Sequence, residues 1–157
     1  MVKIGLEIHC QLNSQSKIFC ACPNPTNLNE KDIKPNSLCC PTCLGLPGAK
    51  PVLNKDVLDK ALKIALALNC RVNEEMFFSR KTYFYPDLVN SFQITQYEIP
   101  LGVNGSFENI KIRRIHMEED PGKLIHQGNV VLIDYNRSGV PLIEIVTEPE
   151  FESPEQV

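Results

Sequence analysis

Three features of the sequence predict an α+β fold: an antiparallel-rich sheet, one packed helix and a metal-stapled loop. Apolar and polar residues alternate in short stretches from the first residues to Val146, the period of half-buried strands. One helical stripe, Leu58, Ala61, Leu62 and Ala65, interrupts that alternation. Closely spaced cysteines frame a loop rich in proline and asparagine.

Composition limits the classes of function. The 157 residues suffice for one domain with a sizeable core, and 43% hydrophobic with 22% charged residues is a globular balance. Sixteen basic against nineteen acidic residues give a net charge of −3, so bulk charge does not advertise a nucleic-acid or membrane surface. Glu7 and His9 interrupt what would be the apolar core of a signal peptide. The longest apolar stretch, Ala61 to Leu68, is short and contains Lys63, which argues against a membrane span. Seven cysteines, spaced for metal more than for disulfides, point to a reduced, cytoplasmic compartment.

The first strand sets Ile4, Leu6, Ile8, Cys10 and Leu12 against Gly5, Glu7, His9 and Gln11. The polar side is either a plain solvent face or a place where Glu7 and His9 share a cation. Next come Cys20-Ala-Cys22 and Cys39-Cys40-Pro-Thr-Cys43-Leu-Gly45, the second of which resembles a zinc knuckle. Cys20, Cys22, Cys40 and Cys43 supply the four thiolates that tetrahedral zinc wants, with Cys39 able to replace Cys40. A redox pair is the alternative, although it leaves Cys20 and Cys22 without a role.

Asn54 is placed to cap the helix, with Asp56 and Asp59 near its positive end and Asn69 as its stop. Phe77 to Asp87 then mixes Arg80 and Lys81 with five aromatic rings. The cations can neutralise phosphate and Tyr83 and Tyr85 can stack on a base or ribose, or the rings fill the core and the cations are solvated. Pro86-Asp87 ends this strand. Ser91 to Tyr97 alternates, with Gln93 and Gln96 as spare amides, and Leu101-Gly-Val-Asn-Gly-Ser106 reads as a turn.

Ile110, Ile112 and Ile115 form a strand whose period slips after Ile112, as at a bulge. It ends in Glu118, Glu119 and Asp120, three adjacent carboxylates pinned by Pro121-Gly122. Such crowding is relieved by water or by a cation. Val130 to Tyr135 is a further strand, Asn136-Arg-Ser-Gly139 a turn, and Leu142 to Val146 the return. Glu144 lies within that apolar return strand and needs a proton, a metal or a partner, for which Arg137 is available. Ser153-Pro-Glu-Gln-Val157 has the form of a helix start, which suggests the front part of a longer protein.

Five motifs together carry a family resemblance. Gly5-Leu-Glu-Ile-His9, the Cys-Pro-Thr-Cys-Leu-Gly-Leu-Pro-Gly-Ala run, Arg80 to Asp87, Arg114 to Lys123 and Asp134 to Pro149 resemble, in order and along essentially the whole chain, the GatB family. GatB is one of the subunits of the glutamine-dependent aspartyl/glutamyl-tRNA amidotransferase. The resemblance implies residues 1–157 as the front part of a cradle-shaped catalytic domain, with a zinc-knuckle insertion at about residues 20–43 and the helical and tail domains beyond Val157. It implies phosphorylation by ATP of the side-chain carboxylate of Glu or Asp misattached to tRNA(Gln) or tRNA(Asn). Ammonia derived from glutamine then displaces phosphate to leave the amide. The implied partners are the amidase subunit GatA, the small subunit GatC and misacylated tRNA, the last bound mainly through the later domains, with no membrane.

By motif, Glu7, His9, Glu118, Glu119 and Glu144 are the implied catalytic group, with Glu7, His9, Glu119 and Glu144 as magnesium ligands. Lys81, Lys123 and Arg137 are implied to contact phosphate or ATP, and Tyr83 and Tyr85 the substrate. Val89-Asn90 stands where many relatives have Pro-Lys, which removes any lysine role there. The paralogous GatE subunit shares the opening motif, and a non-catalytic zinc-stabilised binding module is the rival from another class.

Overall fold

The computed structural model describes residues 2–157 and, among these, every side chain but that of Glu30. In chain order the strands and the α-helix are β1 (Glu7–Gln11), α1 (Lys55–Ala67), β2 (Arg71–Val72), β3 (Ser79–Thr82), β4 (Phe92–Thr95), β5 (Gly102–Phe107), β6 (Ile110–Glu119), β7 (Lys123–Gln127), β8 (Val130–Asp134) and β9 (Pro141–Thr147). An antiparallel sheet of order β1-β9-β6-β5-β2 is accompanied by the two-stranded pairs β3-β4 and β7-β8. The architecture is α+β. Among the described residues no helix is long and apolar enough to cross a membrane.

Helix α1 begins where Asn54 Oδ1 accepts from the Asp56 amide at 2.9 Å, and it ends where Asn69 takes a positive φ of 52°. Val57, Ala61 and Ala65 are buried to 0% exposure, and they join Ile112, Ile115, Met117 and Ile143 in one core cluster. The small alanines let the helix approach the sheet closely. Leu58 and Leu62 pack on the flank of the cluster, half-buried.

The period slip in β6 is a bulge: the register with β9 shifts between Ile112 and Arg114. The extra residue keeps both Ile112 and Ile115 on the core face although they are three apart. Arg113, freed at the bulge, forks onto the Glu148 carboxylate with three bonds of 2.7 to 3.1 Å.

Four local expectations are corrected. Residues 101–106 are not a turn, since all but Leu101 belong to β5. Their glycines serve close approach instead: a Cβ on Gly105 would lie 2.3 Å from Cys70 Sγ and 2.6 Å from Leu68 O, where the end of α1 crosses the strand. Val130–Asp134 pairs backward with β7 across Gly128-Asn129, and β9 pairs with β1 and β6, so the turn at Asn136–Gly139 is present but connects two sheets instead of closing a hairpin. Gln93 and Gln96 are not spare. Beyond Ile115 strand β6 has run past β5, and these two buried amides occupy its free edge, Gln93 donating to Glu119 O at 2.8 Å and Gln96 accepting from the Met117 amide at 2.9 Å. Ser153 makes no side-chain cap, and the segment after it is a short 3₁₀ turn.

The tight crossing at Gly105 gives a direct check. Gly105→Ala forces a methyl group into Cys70 Sγ and the Leu68 carbonyl, and overpacking of this kind costs about 1–3 kcal/mol. Urea unfolding of the two chains should show the midpoint falling by the corresponding amount, with an unchanged slope.

Candidate functional site

One face of the sheet carries a row of ionisable side chains. Alternation puts Glu7, His9 and Gln11 on the same side of β1, and the pairing sets His9 opposite Glu144 and Glu144 opposite His116. Glu118 follows His116 on the same face of β6. His9 Nε2 lies 3.0 Å from Glu118 and 3.5 Å from Glu144, while His116 Nε2 lies 3.0 Å from Glu144 and 3.7 Å from Glu118. Thr95 Oγ1 donates to Glu118 at 3.1 Å. His9, Glu118 and Glu144 each offer a ligand atom, all within 4.8 Å of one another, which suits one metal ion.

The electrostatics follow from burial. Glu118 and His116 are 3% exposed and Glu144 7%, so their charges cannot be left to water. Burial works against the His116 imidazolium, but the bonds to Glu118 and Glu144 prevail and raise its pKa. The bond from His116 lowers the pKa of Glu144 against the opposing effect of burial. Burial raises Asp120, which accepts from Gln11 Nε2 at 3.0 Å and lies 3.5 Å from Arg137.

The row opens into a groove of about 580 Å³ whose lining includes Gln11, Lys81, Tyr83 and Asp120. Lys123 and Arg137 line an adjoining cavity of about 400 Å³ that shares Gln11 with the groove. The expected phosphate-binding cations are therefore divided between two neighbouring spaces. Tyr85 is exposed on the loop after β3, which Tyr135 ties down by donating to Pro86 O at 2.8 Å.

Three residues lie apart from the groups in which they were expected. Glu119, expected among the magnesium ligands, points to the opposite side of β6 from Glu118, because neighbouring residues of a strand face opposite ways. It accepts from the Ile94 amide at 3.0 Å and borders a cavity of about 160 Å³ beside Cys43 and Arg80. Glu7 shares the His9 face but pairs with Val146, outside the three-residue group. Arg137 does not partner Glu144. It donates to Pro121 O at 3.0 Å and Gly122 O at 2.7 Å, bracing the acidic turn, and the histidines partner Glu144 instead. His116 escaped the sequence reading, although its spacing between Arg114 and Glu118 was the available signal.

The second group lies in the loop. Sγ atoms of Cys20, Cys22, Cys40 and Cys43 fall within 4.8 Å of one another, with Cys43 at 3.9 Å from both Cys22 and Cys40. Four sulfurs around zinc at about 2.3 Å stand about 3.8 Å apart, so this group fits a tetrahedral ion. Cys39 turns away toward Asn136 Oδ1 at 3.7 Å, which leaves Cys40 as the member of the set. A hydrogen bond from Cys20 holds Cys43 down to about 4, while burial pushes Cys22 up to about 12. A metal ion would displace the remaining thiol protons.

Fold and side chains together define a class: an α+β domain with a mixed imidazole–carboxylate group facing a groove and a separate thiol group in a loop. The chain belongs to the GatB/GatE catalytic domain family, whose model matches residues 2–157. It is similar to the GatB subunit of the aspartyl/glutamyl-tRNA(Asn/Gln) amidotransferase of Carboxydothermus hydrogenoformans, at 54% identity over 98% of this chain and 34% of that protein. The corresponding subunits of Methanospirillum hungatei and Pseudothermotoga lettingae are 52% and 48% identical, each over 98% of this chain and 34% of the relative. The chain thus spans about a third of the length of the curated relatives it matches.

Glu119 gives a pH-dependent prediction. Burial raises its carboxyl to about 7 from an ordinary 4.5, so the folded chain holds this proton to higher pH than the unfolded chain does. Stability should therefore fall as pH rises from 4.5 to about 7 and level off above. Glu119→Gln keeps the acceptor for Ile94 and removes the titration. Its thermal midpoint should match that of the parent at acid pH and exceed it at pH 8, by no more than about 3 kcal/mol in stability.

Proposed function

We propose that this domain activates a side-chain carboxylate by phosphoryl transfer from ATP, on Glu or Asp misattached to tRNA(Gln) or tRNA(Asn). Ammonia from glutamine then converts the acyl phosphate to the amide. The observation that carries this reading is the His9–Glu118–Glu144 group, which faces a groove bordered by Lys81 in a chain of the GatB/GatE family. Phosphoryl transfer is mainly positioning and neutralisation of developing charge, and an ion among carboxylates beside a lysine has that chemistry.

In this reading His9, Glu118 and Glu144 hold Mg²⁺, which supplies Lewis-acid charge to the transferring phosphoryl group. Thr95 holds Glu118 and His116 holds Glu144, so that their oxygens converge. Lys81 neutralises phosphate in the groove, and Lys123 and Arg137 do so from the adjoining cavity. Tyr83 offers a ring and a hydroxyl to the substrate at the groove wall, and Tyr85 a ring at the exposed loop. The cysteine group holds a structural Zn²⁺, since four thiolates leave no open position for catalysis. Residues 1–157 make up the front part of a cradle-shaped catalytic domain, and the whole protein works with an amidase subunit, GatA, and a small subunit, GatC, in the cytoplasm.

Full-length protein with both partner subunits, ATP and misacylated tRNA tests the reading. Glu118→Gln should lower tRNA-dependent ATP cleavage by about 100-fold, the loss of about 3 kcal/mol of charge stabilisation, while glutamine hydrolysis stays at its basal level. Glu119→Gln, on the other face, should do far less. Unchanged ATP cleavage in Glu118→Gln at every Mg²⁺ concentration would return the groove to a binding module. For the cysteine group, elemental analysis of reduced protein should find about one zinc per chain. A zinc-free chain with a Cys40–Cys43 disulfide overturns that assignment.

A further inference from the structure

Lys17 is 0% exposed, an unusual position for an ammonium group. Its backbone is fixed by the bond from its amide to Cys22 O at 3.0 Å and by the Ile18 amide on Gly139 O at 3.0 Å. Its aliphatic stem runs beneath Gly139, where a Cβ would lie 3.5 Å from Lys17 Cδ. The Nζ atom ends 2.9 Å from Leu38 O, 3.5 Å from Tyr135 O and 3.5 Å from Cys43 Sγ. These neighbours are two carbonyls and a sulfur. Carbonyls accept hydrogen bonds without cancelling charge, so the sulfur is the neighbour able to balance a buried ammonium.

The thiol group has the complementary need. Four thiolates around one Zn²⁺ carry a formal charge of −2, and the share of it on Cys43 is buried. The Cys40 amide donates to Cys43 Sγ at 3.1 Å but brings only a dipole. We propose that Lys17 is the counter-ion of the metal-bound cysteine group, donating to Cys43 Sγ and offsetting one of the two excess negative charges. The inference rests on the reading of the cysteine group as a metal site. It makes Lys17 a positioning residue of the metal site, outside the ligand set but coupled to it through one sulfur.

Lys17→Met keeps most of the buried stem and removes the charge and the donor. In the full chain, competition with a chromogenic chelator should show zinc held about 10- to 100-fold more weakly than in the parent. Cobalt in place of zinc adds a readout that simple loosening of the loop does not move. Loss of the N–H···S bond raises the energy of the sulfur electrons, so the thiolate-to-cobalt charge-transfer band should shift to longer wavelength. Far-UV circular dichroism should retain the signal of α1 and the sheet. Should Lys17→Met not fold, Lys17→Gln, a neutral donor, carries the same comparison: weaker zinc binding supports the inference and parental affinity overturns it. Parental zinc affinity with an unmoved cobalt band in a folded Lys17→Met overturns it equally. A parent chain that takes up neither zinc nor cobalt overturns the metal assignment itself, and this inference with it.

Discussion

Two carboxylates buried against two imidazoles, on one face of one sheet, set the terms for the groove. Glu144 stands with His9 on one side and His116 on the other, and Glu118 reaches both rings from the next row. Any one of these groups taken out of water alone would cost several kcal/mol. Together they exchange hydrogen bonds, and a carboxylate whose imidazole partner is neutral keeps its negative charge, which favours a cation. That exchange requires β9 between β1 and β6. Residues far apart in sequence, His9, His116 and Glu144, must therefore meet through sheet order, since no local segment contains more than two of the four groups.

The connector at residues 135–140 transmits this order to the cysteine loop. On one side Asn136 accepts from the Leu38 amide at 2.7 Å and Ser138 donates to Cys43 O at 2.9 Å. On the other, the Gly139 amide bonds Asp120 O at 2.9 Å and Arg137 holds the carbonyls of Pro121 and Gly122. One short segment thus ties the thiol group to the acidic turn that borders the groove. Gly139, with φ of 81°, is where the chain needs a conformation that side chains resist. A loop that looks like a peripheral staple is hydrogen-bonded into the wall of the groove.

The sequence disclosed what is local. The caps of α1 at Asn54 and Asn69, the slip after Ile112, the four clustered cysteines and the stranded Glu144 all announce themselves within a few residues. Lateral order did not, because alternation reports which face a side chain takes and not which strand lies beside it. Hence Arg137 was the nearest partner for Glu144 in sequence, whereas His9 and His116 are its partners in space. The glycines of β5 misled for a related reason: a turn and a close crossing both call for a missing side chain, and only Cys70 at the end of α1 distinguishes them. Glu118 and Glu119 were separable in principle, since adjacent strand residues face opposite ways. Treating the three acids as one crowded unit at the strand end hid that β6 extends through Glu119 and splits them between its two faces.

The two ligand groups differ in a way that divides their work. Thiolates are soft donors, and four of them complete a tetrahedron with no position left for a substrate. Imidazole with carboxylates is a harder set, and a three-membered one leaves room for oxygen ligands from outside. Each group mixes burial with access: Cys43 is buried among three half-buried cysteines, and the buried Glu118 and Glu144 reach the groove beside a His9 side chain that is 48% exposed. A hard cation gains little from thiolates, and a closed tetrahedral set has no position for an oxygen ligand from outside. The closed set can therefore fix the loop and, through residues 135–140, the acidic turn, while the open set meets the groove. Two donor sets of different chemistry thus sit on one small framework, and the backbone connector ties one to the other.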